Sequence, residues 1–341
     1  MGSYEQPDSL PRPWRETPLI HSSILSKHAG CQIYLKLENL QPSGSFKSRG
    51  VGNFLLKHLS KAGSAQDRKN THFFTSSGGN AGLACVHAAA TLGAPATVVV
   101  PMTTTQYMIE KLQAAGATEV VQEGKSWYEA DRFLRETVIP SAEAGGEVAV
   151  YVHPFDAEEI WEGHSTIVDE IVSQLGPEKS PPDALVCSVG GGGLFTGIMQ
   201  GLDKAGLPTV PVIAVETEGA HSLALSLEKG ELSTLPAITS IATSLGARTV
   251  AAQAFTYAQR TSVRSVVLQD SDAMEGCARF ADDERIMVEP ACGVSVALCY
   301  GGRLREKLPT VSETSRVVII VCGGSNVTAE LLSKWNDAVK H

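Results

Sequence analysis

Apolar and polar positions follow two alternating patterns along the chain from residue 72 onward. Short runs of β-branched and apolar residues predict strands, first at HFFT (72–75), ATVVV (96–100) and TEVV (118–121). A longer segment follows each run, and in it the apolar residues recur with the spacing of a helix. Strands and helices that alternate in this way are typical of βαβ units and a parallel sheet.

The same alternation continues towards the end of the chain. Further strands are predicted at YVHPFD (151–156), ALVCSV (184–189), VPVIAVE (210–216), RSVVLQ (264–269) and RVVIIV (316–321). Entirely apolar runs indicate a sheet that is covered on both faces. We therefore predict an α/β fold with two open twisted sheets, of mostly parallel strands flanked by helices, near residues 50–150 and 155–341. A ligand is expected in the cleft between two such layers.

Composition and charge narrow the class of protein. Hydrophobic residues make up 43% of the 341 residues and charged residues 19%, which is typical of a folded globular protein. The net charge of −9 disfavours nucleic acid as a partner, because nothing offsets the repulsion from phosphates. No apolar run approaches the ~20 residues that a membrane span needs. The first twenty residues lack the apolar core of a secretion signal, and we interpret them as an arm lying over the fold.

The seven cysteines are scattered and form no CxxC pair. Neither a disulfide framework nor a zinc site is therefore expected. Reduced thiols in a cytoplasmic protein are the simplest interpretation.

The strongest local signal is SVGGGGLFTG (188–197), which lies between a predicted strand and a predicted helix. Four consecutive glycines leave backbone N–H groups unobstructed, and the helix start adds the positive end of a dipole. This pattern predicts a phosphate site. No Gly-Lys-Ser/Thr follows, so a Walker loop is excluded. A dinucleotide site remains an alternative, because Glu216 could serve as its acidic residue.

Three further segments carry polar groups that could react or bind. TSSGGNAG (75–82) and VCGGSN (321–326) follow predicted strands, and LENLQPSGSFKSRG (37–50) places Lys47 in a turn before a predicted helix. Taken singly, the first two are ordinary helix caps and Lys47 is a surface lysine. Together with the glycine loop, they are expected to converge at the carboxyl end of a parallel sheet.

Five motifs in this order resemble the pyridoxal-phosphate enzymes of the tryptophan-synthase-β type: PSGSFKSRG (42–50), SSGGNAG (76–82), SVGGGGL (188–194), VEPACG (288–293) and VCGGSN (321–326). The serine/threonine dehydratases, and among them the liver-type L-serine dehydratases, are the nearest match. The resemblance covers nearly the whole chain. It implies a large cofactor-binding domain of residues 1–43 and 155–341, a small domain of residues 44–154, and a homodimer.

The resemblance also implies the roles of particular residues. Lys47 would form the Schiff base with the cofactor aldehyde and then remove the Cα proton of the substrate, since desolvation frees a lysine amine to act as nucleophile and base. The residues assigned to pyridoxal 5′-phosphate are Phe46, Lys47, Asn80, Gly190, Gly191, Gly192, Gly193, Leu194, Ser244 and Cys322. Those assigned to the substrate carboxylate are Ser77, Gly78, Gly79 and Asn80. Those assigned to a monovalent cation, potassium, are Gly190, Glu216, Ala220, Ser222, Leu245 and Ala247.

The implied reaction is the β-elimination of L-serine to pyruvate and ammonia, and of L-threonine to 2-oxobutanoate and ammonia. Cys322 would face the pyridine nitrogen, where a neutral thiol limits charge delocalisation into the ring and favours loss of the β-hydroxyl. An L-serine/L-threonine ammonia-lyase with a catabolic role, in gluconeogenesis, follows from the resemblance.

Two positions depart from the most active liver-type pattern, in which alanine occupies both of them: Gly78 and Ser244. Glycine at position 78 also counts against a serine racemase, whose second base is a serine there. The SSGGNAG loop (76–82) differs from the TSGNTG-like loop of cysteine synthases, which counts against a β-replacement enzyme. These two enzymes, and a dehydrogenase that uses a nicotinamide cofactor, are the alternatives.

Overall fold

The chain folds into two compact units in a computed structural model that describes residues 10–176 and 181–339. The smaller unit includes Lys47–Pro154 and also residues 10–15. The larger unit consists of Glu16–Phe46 and the described residues from Phe155 onward. The domain limits implied by the sequence stay a prediction, because a compact unit is defined by contacts and a domain by independent folding.

Strands and helices alternate along most of the described chain. The strands are β1 Leu19–Ser22, β2 Gln32–Leu37, β3 Thr71–Thr75, β4 Ala96–Val100, β5 Glu119–Gln122, β6 Val148–Tyr151, β7 Ala184–Ser188, β8 Val212–Thr217, β9 Val263–Leu268 and β10 Arg316–Val321. The α-helices are α1 Ser23–Ala29, α2 Lys47–Lys61, α3 Ala65–Asn70, α4 Asn80–Leu92, α5 Gln106–Ala114, α6 Trp127–Phe133, α7 Ile139–Ala144, α8 Glu158–Leu175, α9 Gly193–Lys204, α10 Ser222–Lys229, α11 Ala252–Ala258, α12 Asp270–Glu284, α13 Pro290–Val296, α14 Arg303–Lys307 and α15 Ala329–Val339.

The larger unit is built on a six-stranded sheet in the order β1-β2-β10-β7-β8-β9. Only the β1–β2 pair is antiparallel. The central strands β7, β8 and β10 are buried almost throughout, so their apolar runs form the core together with the helices that cover the sheet. Because these strands are parallel, the loops after Ser188, Thr217 and Val321 leave the same edge of the sheet.

The smaller unit contains a four-stranded parallel sheet in the order β5-β4-β3-β6. Its central strands β3 and β4 are buried at every position, whereas the edge strands are partly exposed. The loops after Thr75, Val100 and Tyr151 all leave the carboxyl edge of this sheet. The predicted fold class, two mostly parallel sheets flanked by helices, is confirmed.

The structure corrects two expectations and adds two strands. The strand predicted at YVHPFD ends at Tyr151, because Pro154 has no N–H to donate to a ladder. β1 and β2 were not predicted from the pattern. The three Gly-rich loops do not share one sheet: the loop after Thr75 belongs to the smaller sheet, and the loops after Ser188 and Val321 belong to the larger one.

All seven cysteines are free and buried. Among the described residues, none of the helices has both the length and the hydropathy that a membrane crossing requires. The first nine residues of the predicted arm, and residues 177–180 of the connector GPEKSPPD (176–183), lie outside the described residues.

Candidate active site

Lys47 is the first residue of α2, rather than a loop residue before it. Its side chain is partly buried, and its Nζ donates a hydrogen bond of 2.6 Å to the carbonyl oxygen of Pro154. The turn that precedes it depends on Gly44, whose φ of +79° is left-handed and favours glycine. The Pro154 carbonyl thus holds the amine at a defined place.

The Ser76–Asn80 loop joins β3 to α4 in the smaller unit. Asn80 is buried and begins α4, and its neighbours Ser77, Gly78 and Gly79 are partly exposed. A Cβ on Gly82 would lie 1.7 Å from the carbonyl oxygen of Ser77, so only glycine lets the helix approach the loop this closely. The loop therefore presents the N–H groups of a helix start, which suit a carboxylate.

The glycine loop, residues 190–193, joins β7 to α9 in the larger unit. A Cβ on Gly190 would lie 2.9 Å from Leu245 Cα, and a Cβ on Gly193 would lie 2.7 Å from the carbonyl oxygen of Phe155. Gly192 has a φ of +91°. Since side chains are excluded by backbone on two sides, the loop exposes main-chain N–H groups at the start of a 12-residue helix. This arrangement suits an anion.

Cys322 follows β10 at the same edge of the larger sheet. Its Sγ lies 3.5 Å from the Oγ of Ser188, the last residue of β7, and its carbonyl oxygen accepts a hydrogen bond of 3.1 Å from the Phe46 N–H. Two effects raise the pKa of the Cys322 thiol well above its usual value. The larger is a hydrogen bond with Cys292, and the smaller is burial. The thiol is therefore neutral at neutral pH. The ring of Phe46 lies 4.9 Å from that of His164, centroid to centroid.

Comparison with known proteins decides which family uses such a site. The model of the family described as "Pyridoxal-phosphate dependent enzyme" matches residues 10–323. The chain belongs to this family. The predicted resemblance is thereby confirmed.

Several proteins of similar sequence are named as dehydratases. An "L-serine dehydratase" of Saccharomyces cerevisiae is 46% identical over 323 residues, which cover 93% of this chain and 95% of the relative. A "Catabolic L-serine/threonine dehydratase" of the same species is 40% identical over 333 residues, covering 96% and 92%. The crystal structure of a fungal L-serine ammonia-lyase from Rhizomucor miehei superposes with a TM-score of 0.87 at 34% identity, covering 97% of this chain and 99% of that one.

The described residues fit the family's cofactor, pyridoxal phosphate. The glycine loop lacks side chains, and a Cβ at positions 190, 192 or 193 would collide with its neighbours, so its backbone N–H groups at the helix start are left unobstructed for a phosphate. Lys47 supplies an amine, and Cys322 supplies a neutral thiol. Ser244 lies beside the glycine loop, its carbonyl oxygen 3.1 Å from the position of a Cβ on Gly190. The assignment of each residue to a part of the cofactor stays a prediction.

The residues predicted for potassium all lie in the larger unit. Glu216 is buried, and its two carboxylate oxygens accept hydrogen bonds of 2.9 and 2.8 Å from the N–H groups of Leu223 and Ala224. Burial raises the pKa of Glu216 to about 8, although these two hydrogen bonds lower it. The Oγ of Ser222 is buried without a hydrogen-bond partner among the described residues. The Ala220 N–H donates to Thr217, and the Ala247 N–H donates to the Leu245 carbonyl oxygen at 2.8 Å.

Four contributions to these sites were not predicted from the sequence. Pro154 accepts the bond from Lys47, Phe155 fills the space beneath the glycine loop, and Ser188 contacts Cys322. Asp131 accepts a hydrogen bond of 2.7 Å from Ser76, at the start of the Ser76–Asn80 loop. Pro154, Phe155 and Asp131 belong to no motif, Ser188 lies at the edge of one without an assigned role, and each contact joins residues far apart in the chain.

Proposed function

We propose that this enzyme eliminates the β-hydroxyl of L-serine, and of L-threonine, with Lys47 as the catalytic base. The observation that carries the proposal is the Lys47 amine, which is partly buried and held by the Pro154 carbonyl in a chain that belongs to a pyridoxal-phosphate family. The relatives named as L-serine and L-serine/threonine dehydratases support the same activity.

When bound, pyridoxal phosphate withdraws electrons from the Cα of the amino acid and so makes the Cα–H acidic. Lys47 Nζ takes this proton, after leaving the Pro154 carbonyl. The Ser76–Asn80 loop binds the substrate carboxylate through Ser77 to Asn80 and thereby orients Cα. The glycine loop, with Leu194, binds the phosphate by backbone N–H groups. Phe46 would cover one face of the ring, and the Asn80 amide would donate to its 3′-oxygen.

The protonation state of Cys322 favours elimination. A neutral thiol brings no negative charge to a ring nitrogen, so it does not stabilise a protonated pyridine. Negative charge that develops at Cα is then best relieved by loss of the β-hydroxyl. Serine loses one Cα proton and one hydroxide, as water, and the resulting aminoacrylate hydrolyses to pyruvate and ammonia. Threonine gives 2-oxobutanoate in the same way.

A substrate panel tests the proposed activity. We expect the purified protein to be yellow and to release pyruvate from L-serine and 2-oxobutanoate from L-threonine, measured by reduction of the oxo acid in a coupled assay. A colourless protein that stays inactive with added pyridoxal phosphate would contradict the proposal. Conversion of L-serine mainly to D-serine, measured by chiral chromatography, would favour a racemase instead.

Gly78 limits how firmly the Ser76–Asn80 loop holds the substrate. A Cβ there would lie 3.0 Å from Val100 Cγ1 and 3.2 Å from Thr104 Cγ2, so an alanine methyl is crowded by side chains and not by backbone. We expect Gly78→Ala alone to change kcat/KM for L-serine by less than about threefold. Gly78→Ala with Val100→Ala should raise kcat/KM by about three- to tenfold, because the methyl then has room and the loop has less freedom to lose.

The control for this pair is Val100→Ala alone, which leaves a cavity in a buried strand and should only lower the unfolding temperature. If the double variant is no more active than Gly78→Ala, the crowding does not limit the loop.

We propose potassium as a second ligand of the larger unit, held by the Glu216 carboxylate, the Ser222 hydroxyl and carbonyl oxygens. Oxygen ligands suit a hard cation, and a positive neighbour stabilises the charged form of a buried carboxylate.

We expect the unfolding temperature to rise when potassium chloride replaces tetramethylammonium chloride at equal ionic strength. At a potassium concentration 100 times the dissociation constant, the free energy of unfolding should increase by about 2.7 kcal/mol. Glu216→Gln should abolish this rise. An equal rise in the variant would show that Glu216 is not a ligand.

We propose a catabolic enzyme that supplies pyruvate for gluconeogenesis, in the cytoplasm, as a homodimer of two-domain subunits. Seven free cysteines suit a reducing compartment, and the net charge of −9 disfavours nucleic acid as a partner. Light scattering on the holoenzyme tests the oligomeric state, and a mass of one subunit would contradict the homodimer.

A further inference from the structure

Asp131 is a buried carboxylate in α6 that none of the predicted roles uses. Its side chain is 7% exposed, and it accepts three hydrogen bonds. Ser76 Oγ and Tyr151 OH donate to Oδ1 at 2.7 and 2.6 Å, and Arg135 Nε donates to Oδ2 at 2.9 Å. Hydrogen bonds to a charged acceptor are the strong ones, and a buried carboxylate requires them.

The two donors at Oδ1 stand at the ends of two neighbouring strands of the smaller sheet. Ser76 follows β3, is fully buried, and is the first residue of the Ser76–Asn80 loop. Tyr151 is the last residue of β6, three positions before Pro154, the acceptor of the Lys47 amine. Asp131 Oδ1 therefore joins the Ser76–Asn80 loop to the segment that leads to Pro154, whose carbonyl oxygen accepts the hydrogen bond from Lys47.

The other end of the loop is held by the close approach of Gly82 to the Ser77 carbonyl oxygen. The side chain of Ser76 is held by its hydrogen bond of 2.7 Å to Asp131, at the start of the loop. Burial is the main effect that raises the pKa of Tyr151, and the hydrogen bond to Asp131 raises it further. The Tyr151 hydroxyl therefore remains a donor across the neutral range.

Arg135 contributes least to this cluster. Its side chain is 54% exposed, so water and salt screen its attraction to Asp131. The bond from Ser76 is buried and the bond from Tyr151 is partly buried, and these two bonds fix the positions of the segments that they join.

We propose that Asp131 is a positioning residue that sets the Ser76–Asn80 loop and the Pro154 carbonyl in register, and through them the substrate carboxylate and the Lys47 amine. This inference rests on the proposed function. It assigns Asp131 no contact with the substrate: its effect passes through Ser76 and Tyr151.

The test compares Asp131→Asn with Arg135→Ala in the holoenzyme. We expect Asp131→Asn to lower kcat/KM for L-serine by about 10- to 100-fold, mainly through KM, because a loosened loop binds the carboxylate less well in both ground and transition states. Arg135→Ala, which removes only the exposed partner, should stay within about threefold of the wild type. Ser76→Ala should reproduce the loss, and adding it to Asp131→Asn should cost little more.

Amide hydrogen exchange supplies a readout that does not depend on the reaction. Exchange in a peptide spanning residues 76–82 should accelerate about tenfold in Asp131→Asn and in Ser76→Ala, and remain unchanged in Arg135→Ala. If Asp131→Asn lowers only the unfolding temperature, with KM and exchange of the loop unchanged, Asp131 is merely structural and the proposal is wrong. A wild type without pyruvate release would refute the proposed function alone, since the exchange comparison stands by itself. If Asp131→Asn does not fold, Ser76→Ala decides by the same two measurements.

Discussion

Lys47→Ala is expected to lower the release of pyruvate from L-serine by about 10³-fold or more. The amine is the only reacting group of the chain that the proposed mechanism places at Cα, and alanine offers neither a base nor a nucleophile in its place. The fold should survive, because Lys47 is the first residue of α2 and its side chain is only partly buried. Steady-state assays give the activity, and far-UV circular dichroism gives the helix content.

Lys61→Ala is the matched control, because Lys61 is the exposed last residue of the same helix. It should retain wild-type turnover. Borohydride reduction of the wild type, followed by peptide mass spectrometry, should add the mass of the cofactor to the peptide that contains Lys47, and no such addition is expected in Lys47→Ala. Unchanged turnover in Lys47→Ala would refute the assigned role.

Gly192→Ala should weaken binding of pyridoxal phosphate by about 100-fold or more. Two costs add: a left-handed φ of +91° and a Cβ that would lie 2.4 Å from the Cβ of Ala254. The first costs a residue other than glycine about 1–3 kcal/mol and the second about 1–3 kcal/mol, while 1.4 kcal/mol corresponds to a factor of ten in affinity. Because the loop must move to relieve both, its N–H groups no longer converge on one phosphate. Titration of the cofactor-free protein, followed by absorbance, measures the dissociation constant.

Gly206→Ala is the control for Gly192→Ala, because it introduces backbone strain without a steric clash of the new Cβ. Gly206 also has a left-handed φ, +72°, and nothing lies within 4 Å of the position of its Cβ. This variant should lose some stability and keep its affinity for the cofactor. An equal loss of affinity in both variants would mean that the glycine loop acts only through stability.

The apolar runs were sufficient to predict the fold class, because a strand buried on both faces leaves a continuous apolar signal. They failed at β1 and β2, where exposed and buried positions are mixed and the signal is weak. The helices after the strands were predicted from the spacing of apolar residues, and in the structure a side chain caps two of them, Ser126 for α6 and Thr105 for α5.

The motifs identified Lys47 and the glycine loop, since each has a local signature. Asp131 has none: its partner Ser76 lies 55 positions earlier, and nothing in the sequence of α6 distinguishes this acid from the partly exposed Glu129. Pro154 lies 107 positions from Lys47, so only the packing of β6 against β3 brings it to that edge of the sheet. Supporting contacts of this kind depend on tertiary structure and cannot be read from the order of residues.

The burial of the cysteines has a chemical consequence. Thiol reagents attack the thiolate, and burial raises the pKa of Cys31 to about 11 and that of Cys85 to about 12. These two thiols are thus almost entirely protonated at neutral pH, and all seven cysteine side chains are buried. The rate at which an alkylating reagent consumes these thiols measures how often the fold opens, and for six of the seven it reports on the unit that contains the glycine loop.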